Sequence, residues 1–238
     1  MNQKPRPLGP FKEEKVMKNR TTQLIYQTAY CTLGVVGIAA SLGFFEHVFR
    51  WDFYIMYTNL SNYFCIFVMF AELIQTARKK ENSYVTVSPA LKFIGMLGIL
   101  LTFLVFNILL ANVPGRNPAE NFKIASVLAH VVLPIMYTLD WFLFYERGKT
   151  KLFYPFVSVL FPIAYLGYVF IHAAAHSFDS TITNYLGTDP LIYPYFFLNP
   201  DRVGNMGVFK WCVILTAIFA VGGLLFVGID KLFGRRNK

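Results

Sequence analysis

Charge is scarce in this chain. Only 15% of its 238 residues are charged, whereas a soluble domain carries about a quarter. That shortage excludes an ordinary water-soluble globule. Cysteine is nearly absent: Cys31, Cys65 and Cys212 all fall in apolar runs, at neither metal-ligand nor disulfide spacing, and read as small packing residues. The four histidines are too few for a multi-histidine di-iron site. There is no nucleotide-binding glycine loop, Gly-x-Ser-x-Gly elbow or Cys-x-x-Cys pair. No internal or inverted repeat and no strongly charged midplane residue is evident, which argues against a coupled transporter. The first 20 residues are basic and proline-containing, without a short apolar core ahead of a small-residue cleavage site, so the first span is expected to be retained.

What the chain has instead is apolar length. It is 55% hydrophobic and 18% aromatic, with a mean hydropathy of +0.47. Its apolar residues come in runs of about 20, enough to cross a bilayer. Six runs stand out, at 24–45, 53–74, 91–113, 124–145, 152–175 and 208–232. The expected fold is an all-α integral membrane protein of six transmembrane helices, in the cell membrane or, in a eukaryote, an endomembrane. A basic tail (1–20) precedes a transmembrane domain (21–233) with an outer aromatic loop (176–207), and a short basic tail (234–238) follows. Seventeen of the 22 Lys and Arg residues fall on one side of that arrangement, among them Lys79, Lys92, Lys149 and Arg236. The positive-inside bias places that side, with both termini, in the cytoplasm. The net charge of +9 therefore reports topology and attraction to anionic headgroups, and no nucleic-acid partner is expected.

Polar residues inside the runs are few, and they converge. Thr58 opens a stripe that continues through Ser61, Asn62, Cys65 and Glu72. It and His130 each lie five or six residues below the outer end of a run, roughly 7–9 Å deep at about 1.5 Å per residue. Asn107 falls in the same layer of the third run, and Tyr165, Tyr168, His172 and His176 line the outer half of the fifth. Pro134 and Tyr137 share the face of His130. Such a layer faces a bundle interior or a wet cavity, or else holds helices together by hydrogen bonds alone. Glu72 and Asp140, near the inner ends, are expected to reach the interface or to pair with Arg147 or Lys149. Prolines 134, 155 and 162 bend helices or free carbonyls. The stretch Leu191-Ile192-Tyr193-Pro194-Tyr195-Phe196 suits either an interfacial anchor or a lid over a lipid site.

Several motifs carry a resemblance. Thr58 with its stripe, His130 followed by Pro134, Tyr193-Pro194-Tyr195-Phe196 before the last run, Asp140-Trp141-Phe142-Leu143-Phe144, and the segment 102–111 together resemble the androgen-induced hydrolase family. These are multi-pass membrane proteins that include the androgen-dependent regulator of tissue factor pathway inhibitor, and the likeness is to the microbial branch. The resemblance implies a threonine hydrolase of fatty acid esters of hydroxy fatty acids, with Thr58 as nucleophile and His130 as its partner. The departures are the His-x-x-x-Pro spacing and the polar Asn59-Leu60-Ser61-Asn62 after Thr58.

On that reading the substrate is a lipid ester and no cofactor is needed. Asn59, Ser61, Asn62 or Asn107 would donate to the oxyanion. Tyr137, Tyr165, Tyr168, His172, Tyr193, Tyr195 and Phe196 would form the substrate cavity or lid. Two alternatives stay open. His172 and His176 form His-x-x-x-His, which with His130 or Asp179 would make a zinc-dependent lipid hydrolase. A non-enzymatic lipid-binding or transport protein is the other.

Overall fold

The computed structural model describes residues 19–81, 83–113, 116–176 and 192–236, and every regular element among them is helical. Six helices are long and apolar enough to cross a membrane: α1 (Arg20–Ser41), α2 (Tyr57–Arg78), α3 (Pro89–Leu110), α4 (Ile124–Phe144), α5 (Tyr154–His176) and α6 (Pro200–Arg236). The chain is a multi-pass helical membrane protein. The tail ahead of residue 19 and the greater part of the outer loop lie outside the described residues.

Several boundaries depart from the apolar runs, for local reasons. Helix α1 starts four residues early because the Asn19 side chain accepts hydrogen bonds from the amides of Thr21 and Thr22, capping a polar first turn. It ends at a left-handed glycine, Gly43, at φ 85°. The aromatic residues that follow form two 3-10 turns, Phe44–Glu46 and Trp51–Tyr54, and Met56 is extended, so α2 begins only at Tyr57. Helix α6 starts at Pro200, with the Asn199 side chain accepting the Asp201 amide, and kinks at Gly204, where φ is 71°.

Helix α3 is the hub, touching α2, α4, α5 and α6. Helices α1 and α2 pack closely at Gly34, where a Cβ would meet Ile66 Cγ1 at 2.7 Å. Arg20 donates to the carbonyls of Thr76 and Ala77, tying the start of α1 to the end of α2. Asp230 accepts from the Thr150 amide at 2.9 Å, tying α6 to the loop after α4. Both described chain ends therefore lie on one face, the terminal face. The turns of 42–56 and residues 111–113, 116–123 and 192–199 close the opposite, far face.

One expectation is overturned inside the bundle. Glu72 and Asp140 neither reach the interface nor pair with Arg147 or Lys149. Both are at most 1% exposed and bridge the equally buried Lys92 of α3, with Glu72 Oε2 2.5 Å from Lys92 Nζ and Asp140 Oδ2 bonded to the same nitrogen. Lys92 is thus an interior charge and not part of the basic loop. Arg147 turns instead to Asp230 and lies over the Trp141 ring.

Candidate active site

Thr58 occupies the second position of α2, so its amide belongs to the first turn and has no carbonyl one turn behind it. The next two amides, of Asn59 and Leu60, reach back to the Met56 carbonyl. The Thr58 amide meets the hydroxyl of Tyr195 at 3.4 Å. Starting α2 at Tyr57 has a chemical consequence. Thr58 sits not one turn inside the helix, as its position in the apolar run suggests, but at the positive end of the helix dipole.

His130 reaches Thr58 through an irregular stretch of α4. Residues Leu128–Val132 form a π turn, and Pro134 follows it. Proline has no amide hydrogen. In an α register that leaves the His130 carbonyl without its donor; in a π register it leaves the carbonyl of Ala129. Both gaps are filled from neighbouring helices: Asn107 Nδ2 donates to the His130 oxygen at 3.2 Å, and Asn62 Nδ2 to the Ala129 oxygen at 3.0 Å. The end of α3 is also a π turn, Phe106–Leu110, which carries Asn107 to this position. Two π turns lie side by side at the site, a feature such turns often mark.

The imidazole is oriented on three sides. His130 Nε2 lies 3.3 Å from Thr58 Oγ1. Nδ1 lies 3.0 Å from the carbonyl oxygen of Ser126 and 3.3 Å from its hydroxyl. A carbonyl only accepts, so Nδ1 carries the hydrogen and Nε2 presents its lone pair to the Thr58 hydroxyl. The Phe106 ring stacks on the imidazole, with centroids 3.5 Å apart and planes at 10°. The Arg116 guanidinium lies 5.2 Å from the centre of the Phe106 ring.

An apolar cleft of about 620 Å³, open space at its mouth included, has Thr58 in its wall. Its walls come from α3 (Leu101, Val105, Phe106), α5 (Pro162, Tyr165) and α6 (Leu215), with Tyr195 and Leu198 from the far-face segment. Burial pushes the Tyr195 phenol above its ordinary value, while its hydrogen bonds to Thr58 act the other way. The group stays a neutral O–H donor at physiological pH.

The residues singled out in the sequence divide clearly. Thr58 and His130 meet. Tyr165 and Tyr195 line the cleft; the Tyr165 hydroxyl donates to the Ile55 carbonyl at 2.9 Å and holds the chain just ahead of α2. The four proposed oxyanion donors are committed elsewhere, a correction: the three asparagines serve backbone carbonyls, two of which Pro134 leaves without a donor, and Ser61 bridges to α3. Asn59 donates to Phe53, Asn62 to Thr58 and Ala129, and Asn107 to Phe103 and His130, in each case at a backbone oxygen. Ser61 is shared between the Thr58 carbonyl and the Thr102 hydroxyl.

Five of the expected cavity residues lie off the cleft. Tyr137 is fully buried deeper in the bundle, beneath Lys92 and against Tyr30. Tyr168 and His172 brace Tyr54 of the far-face turn, through its carbonyl and its hydroxyl respectively. Tyr193 packs on Phe170, and Phe196 packs on Phe197 and Trp211. For the zinc alternative, the His176 side chain and Asp179 lie outside the described residues. Among the described residues no group of three His, Cys, Asp or Glu side chains is placed to hold a metal.

Sequence reasoning missed Phe106 and the amide of Thr58. Phe106 looked like one apolar residue among many in α3. The amide became visible only once the helix start was fixed. Comparison with protein-family models, curated proteins and solved structures returns no match.

Proposed function

We propose that this chain is an intramembrane lipid-ester hydrolase that works through an acyl-threonine intermediate, and that it is related to the androgen-induced threonine hydrolases its motifs resemble. The observation that carries the reading is the 3.3 Å contact between Thr58 Oγ1 and His130 Nε2 beside an apolar cleft that Thr58 lines. A threonine hydroxyl is a poor nucleophile unless a base within hydrogen-bond reach takes its proton.

The steps follow from that geometry. An acyl chain lies in the cleft with its ester carbonyl at Thr58. Thr58 Oγ1 attacks the carbonyl carbon while His130 Nε2 takes the hydroxyl proton. The carbonyl oxygen becomes an oxyanion between the Thr58 amide and the Tyr195 hydroxyl, and accepts from both at the positive end of α2. The tetrahedral centre collapses, the alcohol leaves with the proton from Nε2, and the acyl group stays on Thr58. Water then attacks the acyl-threonine as Nε2 takes its proton, and Nε2 passes that proton to the departing Thr58 Oγ1, which releases the fatty acid and restores both residues. The Ser126 carbonyl holds the imidazole in the required tautomer throughout. The positive-inside bias puts both termini in the cytoplasm and this site in the outer leaflet.

Activity-based labelling tests the reading. A long-chain fluorophosphonate should modify the purified protein in nanodiscs at Thr58, and the Thr58→Ala variant should not be labelled. Equal labelling of a folded Thr58→Ala variant would remove Thr58 from the mechanism.

A further inference from the structure

A second polar centre lies toward the terminal face, and the hydrolase reading does not use it. We propose that the Glu72–Lys92–Asp140 cluster is a proton-binding site, holding one exchangeable proton besides those of Lys92 and reached from the terminal face through a polar vestibule.

The charge count is the first argument. Two carboxyl groups and one ammonium, each at most 1% exposed, carry a formal charge of −1 when all three are ionised. An uncompensated charge in a low-dielectric interior is strongly disfavoured, and one added proton makes the cluster neutral. The surroundings add one dipole, the Val87 amide toward Glu72, and no further charge. The ionisable groups packed around it are Tyr26, Tyr30 and Cys31 of α1, Cys65 of α2 and Tyr137 of α4, which are uncharged at neutral pH. Among the described residues Lys92 is the only cation within ion-pair distance of either carboxyl.

Unused hydrogen-bonding capacity is the second argument. Lys92 engages one oxygen of each carboxyl. Glu72 Oε1 and Asp140 Oδ1 end without a hydrogen-bond partner among the described residues, as does the hydroxyl of the fully buried Tyr137, whose ring lies under Lys92 Nζ at 4.9 Å. Buried polar atoms seldom stay unsatisfied. A protonated carboxyl converts one of these acceptors into a donor.

Access is the third. A polar cavity of about 1,020 Å³, open space at its mouth included, is lined by Gln75, Pro89 and Phe144, with Lys79, Glu146 and Lys149 at its rim. Gln75 lies three residues after Glu72, Pro89 three before Lys92, and Phe144 four after Asp140. Each stands one helical turn from a member of the cluster, on the same helix face and toward the terminal face. All three helix faces thus lead from the cluster into the same vestibule.

Infrared spectroscopy of the full chain in nanodiscs tests this independently of ester hydrolysis. The wild type should show a protonated-carboxyl band at neutral pH that shifts on exchange from H2O to D2O. Glu72→Gln and Asp140→Asn should each abolish it, because Lys92 balances the one remaining carboxylate. Lys92→Met should double it, and Asp230→Asn should leave it unchanged. A bulky maleimide on Gln75→Cys should slow its exchange. A wild type without the band overturns the proposal with no variant needed. So does a band that both single variants retain, or one removed by sodium or potassium at constant pH, which would mark an alkali-cation site. Unchanged exchange after blocking Gln75→Cys overturns the vestibule route.

Discussion

Two buried polar centres occupy opposite ends of the same bundle, and they are built on opposite principles. At the far face, Thr58 and His130 are neutral, and each polar atom of the pair has a neighbour: Thr58 Oγ1 has Nε2, the Thr58 amide has Tyr195, and Nδ1 has Ser126. At the terminal face, Glu72, Lys92 and Asp140 are formally charged, and two of their oxygens are left over. The first centre is pre-organised and opens on an apolar cleft; the second is tightly paired and lies behind a polar one. On the proposed reading the first centre orients a neutral nucleophile and base, whereas a cluster that holds helices together, or exchanges a proton, tolerates charge once it is paired.

The contrast can be broken most decisively at the far-face pair. Thr58→Ala should reduce ester hydrolysis to background, and His130→Ala should lower it by about 10²–10⁴-fold, with both proteins still folded by thermal denaturation. Next in size is Lys92→Met, which leaves two carboxyls without their cation and should destabilise the fold by about 3–5 kcal/mol. Replacing Glu72, Lys92 and Asp140 together by apolar residues of similar volume should restore stability while hydrolysis is unaffected. If hydrolysis falls with the cluster at full stability, the two centres are coupled and the separation fails.

Tyr195→Phe sharpens the far-face account. Losing one oxyanion donor should lower kcat by about 10²-fold with little change in KM. Rate losses smaller than threefold would leave the Thr58 amide as the sole donor. The smallest effect is expected at Glu46, whose carboxyl Arg50, and then Lys123, hold below the ordinary carboxylate range. Its contribution is present above the unfolded-state value and fades as pH falls through the lowered one. Being exposed, Glu46→Gln should change thermal stability by under about 0.5 kcal/mol.

The fold class was fully legible in the sequence, because six apolar runs of bilayer length leave few alternatives. So was the meeting of Thr58 with His130, since both are costly in an apolar helix unless partnered. The second centre was misread for a specific reason. Lys92 lies close to Arg78, Lys79 and Lys80 in sequence and reads as loop charge, yet Ser88 and Pro89 start α3 early enough to carry it inside. Asn62 and Asn107 were misassigned because they serve the Ala129 and His130 carbonyls freed by Pro134 beside the π turn, and no side-chain pattern announces a backbone vacancy of that kind. Tyr195 was placed in the right region but with too modest a role, since its partner is the amide of a helix start that apolar length alone put four residues too early.

The π turns in α3 and α4 have a further consequence. Each amounts to one residue inserted into a regular helix, so positions on its two sides are out of phase by about 100°. Taking a single residue out of 128–132 would let α4 wind evenly. Everything before the deletion, Ser126 included, would then turn away from the bundle axis, while Tyr137 and Asp140 kept their places. Among relatives of this chain, length in that short window should therefore be held more strictly than the identity of the aliphatic residues that fill it.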